Sequence, residues 1–159
     1  MRQAILLLLP LLAACGQGDG NDAAPAASNE RVQTADLTGL YEAGGESEAQ
    51  GRMCMIADPS GGASFGIVSD APEGGSCGGA GKAVREGARL RLTMAGDEQC
   101  VIDAQIDGTK VTFPAAVPEG CSYYCGPGAT LADQSFEKTG GTPDDAMRAI
   151  DLAGEPLCG

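Results

Sequence analysis

The chain has 159 residues, with 22 Asp and Glu against 10 Lys and Arg for a net charge of −12, and it contains neither His nor Trp. That acidity excludes nucleic acid as a partner, because phosphates would be repelled. It also excludes adsorption on anionic headgroups through a basic face. Without His, the commonest general base, metal ligand and near-neutral proton switch are missing, so the expectation is a non-enzymatic protein with no catalytic residue, no cofactor and no metal.

Arg2 is the only charge in Met1–Cys15, and Ala4–Leu12 is an unbroken apolar run. A bilayer-spanning helix takes roughly 20 such residues, so this run is too short to cross. A charged start, a short apolar core and small residues at its end have the form of an export signal. The junction reads Leu12-Ala13-Ala14-Cys15. It resembles the bacterial lipobox at all four places. The resemblance implies cleavage before Cys15, a diacylglyceryl group on the Cys15 thiol, and a membrane partner held through acyl chains, each buried methylene contributing about 0.8 kcal/mol. Gly16 follows the Cys, where an Asp would favour retention in the inner membrane. The resemblance therefore implies the outer membrane, facing the periplasm. Residues 1–14 are the expected signal peptide, and 15–36 the expected lipidated Cys and tether. Gly16–Asp36 has little apolar content and no period; a flexible chain of that length spans about 25 Å.

From residue 37 to 159 the pattern predicts one disulfide-stabilised, mainly β domain. Leu37–Ala43 is a first strand, and Arg52–Ala57 is apolar on both sides, as a strand covered on two faces would be. Ser64–Ser69 follows a Pro-Ser-Gly-Gly turn, and Glu73–Gly81 reads as a glycine-rich loop tied at Cys77. Ala88–Met94 alternates, with Leu90, Leu92 and Met94 on one face. Gln99–Ile106 alternates again, with Cys100, Ile102, Ala104 and Ile106 together. Asp107-Gly108 predicts a type I′ hairpin, after which Val111 and Phe113 point inward. Cys121–Cys125 and Thr130–Phe136 are weaker strand candidates. Short strands joined by hairpins predict an antiparallel meander, either a small barrel or a sandwich. A C-terminal helix over about 143–153 is expected. Thr142 would cap it, Pro143 would start it, Asp144 and Asp145 would suit its first turn, and Ala146, Met147, Ile150 and Ala153 would form its apolar stripe.

Apart from Cys15 there are six cysteines: Cys54, Cys77, Cys100, Cys121, Cys125 and Cys158. An even set in an exported chain predicts disulfides, and six allow 15 pairings. Cys121 and Cys125 could join each other or reach distant partners, and Cys158 would pin the helix to the barrel. Zinc is disfavoured, because only one Cys pair is close and no His is present.

Three enzyme-like motifs have bland readings. Gly62-Ala63-Ser64-Phe65-Gly66 fits G-x-S-x-G, but it stands in a hairpin strand of a chain without His. Ser135–Lys138 and Lys138-Thr139-Gly140 fit S-x-x-K and K-T-G, yet one lysine would have to serve both. The carboxylates Glu42, Glu46, Glu48, Asp97 and Glu98 sit at turns or strand ends, where solvation accounts for them. The distinctive stretch is Cys121-Ser122-Tyr123-Tyr124-Cys125-Gly126. Tyr123 and Tyr124 are candidate binding-surface residues, since tyrosine gives large contact area at little entropic cost; the alternative is that both rings fill a core that lacks Trp.

The opening Leu37-Thr38-Gly39-Leu40-Tyr41, followed by a Cys-bearing strand and hairpins, resembles lipid-anchored protease inhibitors of the bacterial envelope, which are small barrels. The Trp residues of those inhibitors are absent here. The C-x-Y-Y-C-G segment is similar to one found in small proteobacterial envelope lipoproteins. The expected role is a membrane-anchored binding domain with an envelope protein as partner, possible inhibition of an envelope enzyme included. The alternative is a structural envelope lipoprotein without a discrete ligand.

Overall fold

The computed structural model describes residues 37–43, 50–59, 61–72 and 74–159. The expected signal peptide, Cys15 and tether, together with Glu46 and Glu48, lie outside the described residues. Eight strands follow one another: β1 (Gly39–Ala43), β2 (Gln50–Ala57), β3 (Ala63–Asp70), β4 (Ser76–Glu86), β5 (Arg89–Met94), β6 (Val101–Asp107), β7 (Lys110–Thr112) and β8 (Ser135–Gly140). Each pairs antiparallel with the next, and β8 returns to β1, so the sheet closes on itself. The meander is a barrel, not a sandwich. Closure leaves no free sheet edge to template association.

Side-chain alternation sorts residues to the inside. Leu90, Leu92 and Met94 of β5, with Ile102, Ala104 and Ile106 of β6, are buried, whereas Arg89, Arg91, Asp103 and Gln105 face out. Phe65, Phe113, Phe136 and Tyr41 supply the large rings of the same interior. The Tyr41 hydroxyl donates to the Leu37 carbonyl at 2.8 Å, so this buried phenol is satisfied.

The glycine-rich stretch is not a loop. Residues from Ser76 onward form β4, the longest strand, which pairs with β3 over its first part and hands over to β5 from Gly81. Backbones crowd at that handover. A Cβ on Gly81 would lie 2.0 Å from the Thr93 carbonyl oxygen and 2.8 Å from the Phe65 ring. The glycines thus mark a tight corner of the barrel wall, a role sequence alone does not distinguish from a flexible loop. The β6–β7 turn also differs from expectation. Asp107 pairs with Lys110, leaving Gly108-Thr109 as the loop, and of these only Gly108 has positive φ. Glycine at the first loop position is the II′ pattern, not I′.

Two further elements are shifted. Glu119–Tyr124 is a 3-10 helix, not a strand, and the last strand is Ser135–Gly140, not Thr130–Phe136. The C-terminal helix α1 is one turn, Pro143–Ala146. Its start is as expected: Thr142 Oγ1 accepts from the Asp145 amide, and the Asp145 carboxylate accepts from the Thr142 amide, a reciprocal capping box. It ends early because the chain tightens into i→i+3 bonds at Arg148 and Ala149 and then doubles back, Leu157 N–H donating to the Ala149 carbonyl. The residues that meet the sheet are Ala146 and Ala149. Met147 and Ile150, assigned to the apolar stripe by their spacing, are exposed.

This C-terminal strap builds a small second core on the outer face of β1 and β2, from Leu40, Cys54, Ala146, Ala149 and Cys158, with Ile56 and Leu157 against it. Burial of Met53 and Met55 on one face of β2 and Cys54 on the other fits the doubly covered strand expected from its composition. The strap passes so close to β3 that a Cβ on Gly66 would lie 2.5 Å from the Leu157 carbonyl oxygen. Three disulfides join Cys54 to Cys158, Cys77 to Cys125 and Cys100 to Cys121. The first pins the strap to the barrel wall.

Candidate binding surface

An antiparallel meander puts alternate connections at opposite ends. Residues 58–59, 61–62, 87–88 and 108–109 lie at one end, where the described chain also begins with Leu37 and Thr38. The connections after β3, β5 and β7 lie at the other, and the one after β7 is the longest because it carries the 3-10 helix. Tyr123 and Tyr124 sit on that helix, at the end remote from the chain's entry.

Two disulfides bracket these tyrosines. Cys121, two residues before Tyr123, is tied to Cys100 at the start of β6; Cys125, next to Tyr124, is tied to Cys77 in β4 and bridges it in backbone pairing. Both bonds reach distant strands instead of closing the short Cys121–Cys125 segment. The 3-10 helix is thereby held to two sides of the barrel rim.

The two rings have different fates. Tyr124 is half-buried: its hydroxyl donates to the Ala95 carbonyl at 2.8 Å, and its ring lies over Gly79. A Cβ on Gly79 would meet the ring at 3.0 Å and Met94 Cε at 2.3 Å, so glycine makes room for the tyrosine. Burial raises the Tyr124 pKa above its ordinary value, and the negative charge of Asp97 raises it further. Tyr123 instead stands 83% exposed, edge-on to Tyr124 with centroids 5.4 Å apart. Of the two sequence candidates, Tyr124 is a supporting residue and Tyr123 is the presented one.

The surroundings of Tyr123 are acidic. The described residues of the remote-end connections and the strand end at Asp70 carry Asp70, Asp97, Glu98, Glu119 and Asp133, with no Lys or Arg. Asp97 Oδ1 accepts from the Gln99 amide at 2.8 Å, which fixes its carboxylate beside the 3-10 helix. Arg52 is the nearest cation in register, two residues into β2 and opposite Glu42. The entry end differs: Arg85, Arg89, Lys110 and Lys138 lie in or beside its turns among Glu86, Asp107 and Glu137, and Lys82 pairs with Asp58 at 3.1 Å.

The enzyme-like motifs do not assemble a reaction centre. Ser64 faces outward on β3, where its hydroxyl accepts from Lys82 Nζ at 3.0 Å. The same Nζ also donates to Asp58 Oδ2 at 3.1 Å, so Ser64 and Lys82 belong to an exposed cross-strand contact. Ser135 and Lys138 both belong to β8, and Lys138 Nζ lies over the Tyr41 ring, 5.8 Å from its centroid. Glu42, Asp97 and Glu98 sit at strand ends and a turn, as expected. A concavity of about 350 Å³, which sequence reasoning missed, lies between β1–β3 and the strap, lined by Glu42, Arg52, Val68, Asp70, Ile150 and Leu152 among others. Exposure of Ile150 and Leu152 comes from the strap's reversal, and no local pattern signals it. Neither family models, nor curated proteins, nor solved structures offer a match to this chain.

Proposed function

We propose that this protein is a lipid-anchored envelope lipoprotein whose barrel is a non-enzymatic binding domain for another envelope protein. The observation that carries the binding reading is Tyr123: a large ring, 83% exposed, on a 3-10 helix fastened at both sides by disulfides. Ordering cost is met before a partner arrives, which is what favours a rigid contact loop over a mobile one. The anchoring reading rests on Leu12-Ala13-Ala14-Cys15, and three paired bridges agree with an oxidising compartment. The chain enters at the end opposite Tyr123, so a tether there would leave that ring clear of the attachment point.

Two measurements test this. Metabolic labelling with palmitate should mark the protein, and Cys15→Ser should abolish the label; an unlabelled wild type refutes the anchor. A photo-crosslinking amino acid replacing Tyr123 in cells should trap one stoichiometric partner, whereas the same group at Val84, an exposed residue on β4, should not. Equal trapping at both, or none, refutes the binding domain.

A further inference from the structure

We infer that the remote end of the barrel docks a cationic polypeptide segment, with a Lys or Arg side chain over the Tyr123 ring and neighbouring basic groups facing Asp97, Glu98 and Glu119. This inference rests on the binding reading and adds the partner's chemistry.

The argument is complementarity. An exposed aromatic face attracts cations through its quadrupole. Here that face projects from a rim whose described connections carry only negative charges, while most described cations lie toward the other end, Arg52 of β2 excepted. A protein that were simply acidic for solubility would mix the signs over its surface. A one-sided field instead steers a positively charged segment onto one end and repels an acidic one. The ring is also fixed: Tyr124 buttresses it edge-on and is itself tied to Ala95, so a cation meets a ring already in place. Tyr123 is the exposed large apolar side chain of the 3-10 helix, whereas Ile150 and Leu152 are presented by the strap beside Asp70.

The test measures binding to the full-length protein in detergent micelles of two fluorescent peptides of one length, one bearing four Lys or Arg and the other four Glu at the same places. Micromolar binding of the basic peptide alone is expected, weakening steeply between low and physiological salt. Tyr123→Ala, which leaves the charge unchanged, should weaken it about fivefold. Glu98→Gln with Glu119→Gln should weaken it, but Glu86→Gln with Glu137→Gln, at the entry end, should not. Equal weakening by both pairs, with Tyr123→Ala silent, would show diffuse attraction to an acidic protein and overturn the proposal. Equal binding of both peptides, or none of the basic one, would also overturn it. If the Tyr123 crosslink still forms but an excess of basic peptide fails to compete, the cationic assignment fails while the binding domain stands; loss of the crosslink itself sinks the underlying reading.

Discussion

The Cys54–Cys158 bridge can be tested quantitatively. It closes the largest loop of the three, with a separation of 104 residues against 48 and 21. If a disulfide acts by restricting the unfolded chain, these loops correspond to about 4.7, 4 and 3.4 kcal/mol respectively. Replacing Cys54 and Cys158 together by Ala removes that restriction and also takes two sulfurs from the small core of Leu40, Ile56, Ala146, Ala149 and Leu157. Ala is preferable to Ser, since Cys54 is wholly buried and a hydroxyl there would want a partner. The expected loss is about 5 kcal/mol, a large share of the roughly 5–15 kcal/mol by which domains are stable. Urea unfolding followed by far-ultraviolet circular dichroism measures it, with tyrosine emission as the second probe, since the chain lacks Trp. The slope should rise, because an unlinked unfolded chain exposes more surface. A loss below about 1.5 kcal/mol, or one smaller than that of the Cys100→Ala, Cys121→Ala pair, refutes the chain-entropy reasoning. A free strap with an unmoved barrel midpoint would show that the strap lies outside the cooperative unit.

Three other outcomes follow from individual contacts. Gly81→Ala should cost about 1–3 kcal/mol, because its methyl meets the Thr93 backbone and not a flexible side-chain tip; a stability within 0.5 kcal/mol of wild type would contradict the corner reading. Tyr124 has a raised pKa when folded, so the contribution of its neutral phenol is present below pH about 10 and is lost as pH rises through the folded value. Tyr124→Phe should flatten that part of the alkaline stability profile, and an unchanged profile would reassign it. The Asp145 pKa is lowered by its hydrogen bonds to Thr142, with Arg148 adding to them, so its contribution is present above the ordinary carboxylate range and is lost as pH falls through the folded value. Thr142→Ala takes the hydroxyl contacts but leaves the backbone amide and Arg148, so it should reduce that acid-side dependence and cost about 1 kcal/mol at neutral pH, read by urea unfolding across the acid range and at neutral pH.

Local pattern determined a good deal here. Period-two alternation in Leu90–Met94 and Cys100–Ile106 placed seven residues inside the barrel, because a pleated strand sends successive side chains to opposite faces. The two-sided apolarity of Arg52–Ala57 announced a strand covered on both faces, and Thr142-Pro143-Asp144-Asp145 announced a helix start, since capping is chemistry within one turn. An even number of cysteines announced bridges, but not which ones: pairing depends on strands far apart in sequence meeting at the rim and under the strap. Tertiary structure also decided that the Gly78–Gly81 run is wall and not loop, because glycine's freedom reads alike in both until a neighbouring backbone at 2.0 Å demands it. It shortened the helix to a turn, since Met147 and Ile150 have helical spacing yet the bridged strap doubles back and leaves them in solvent. The same cause separated Tyr123 from Tyr124. Adjacent and chemically identical, they differ only because the barrel rim offers Gly79 and the Ala95 carbonyl to one ring and open water to the other.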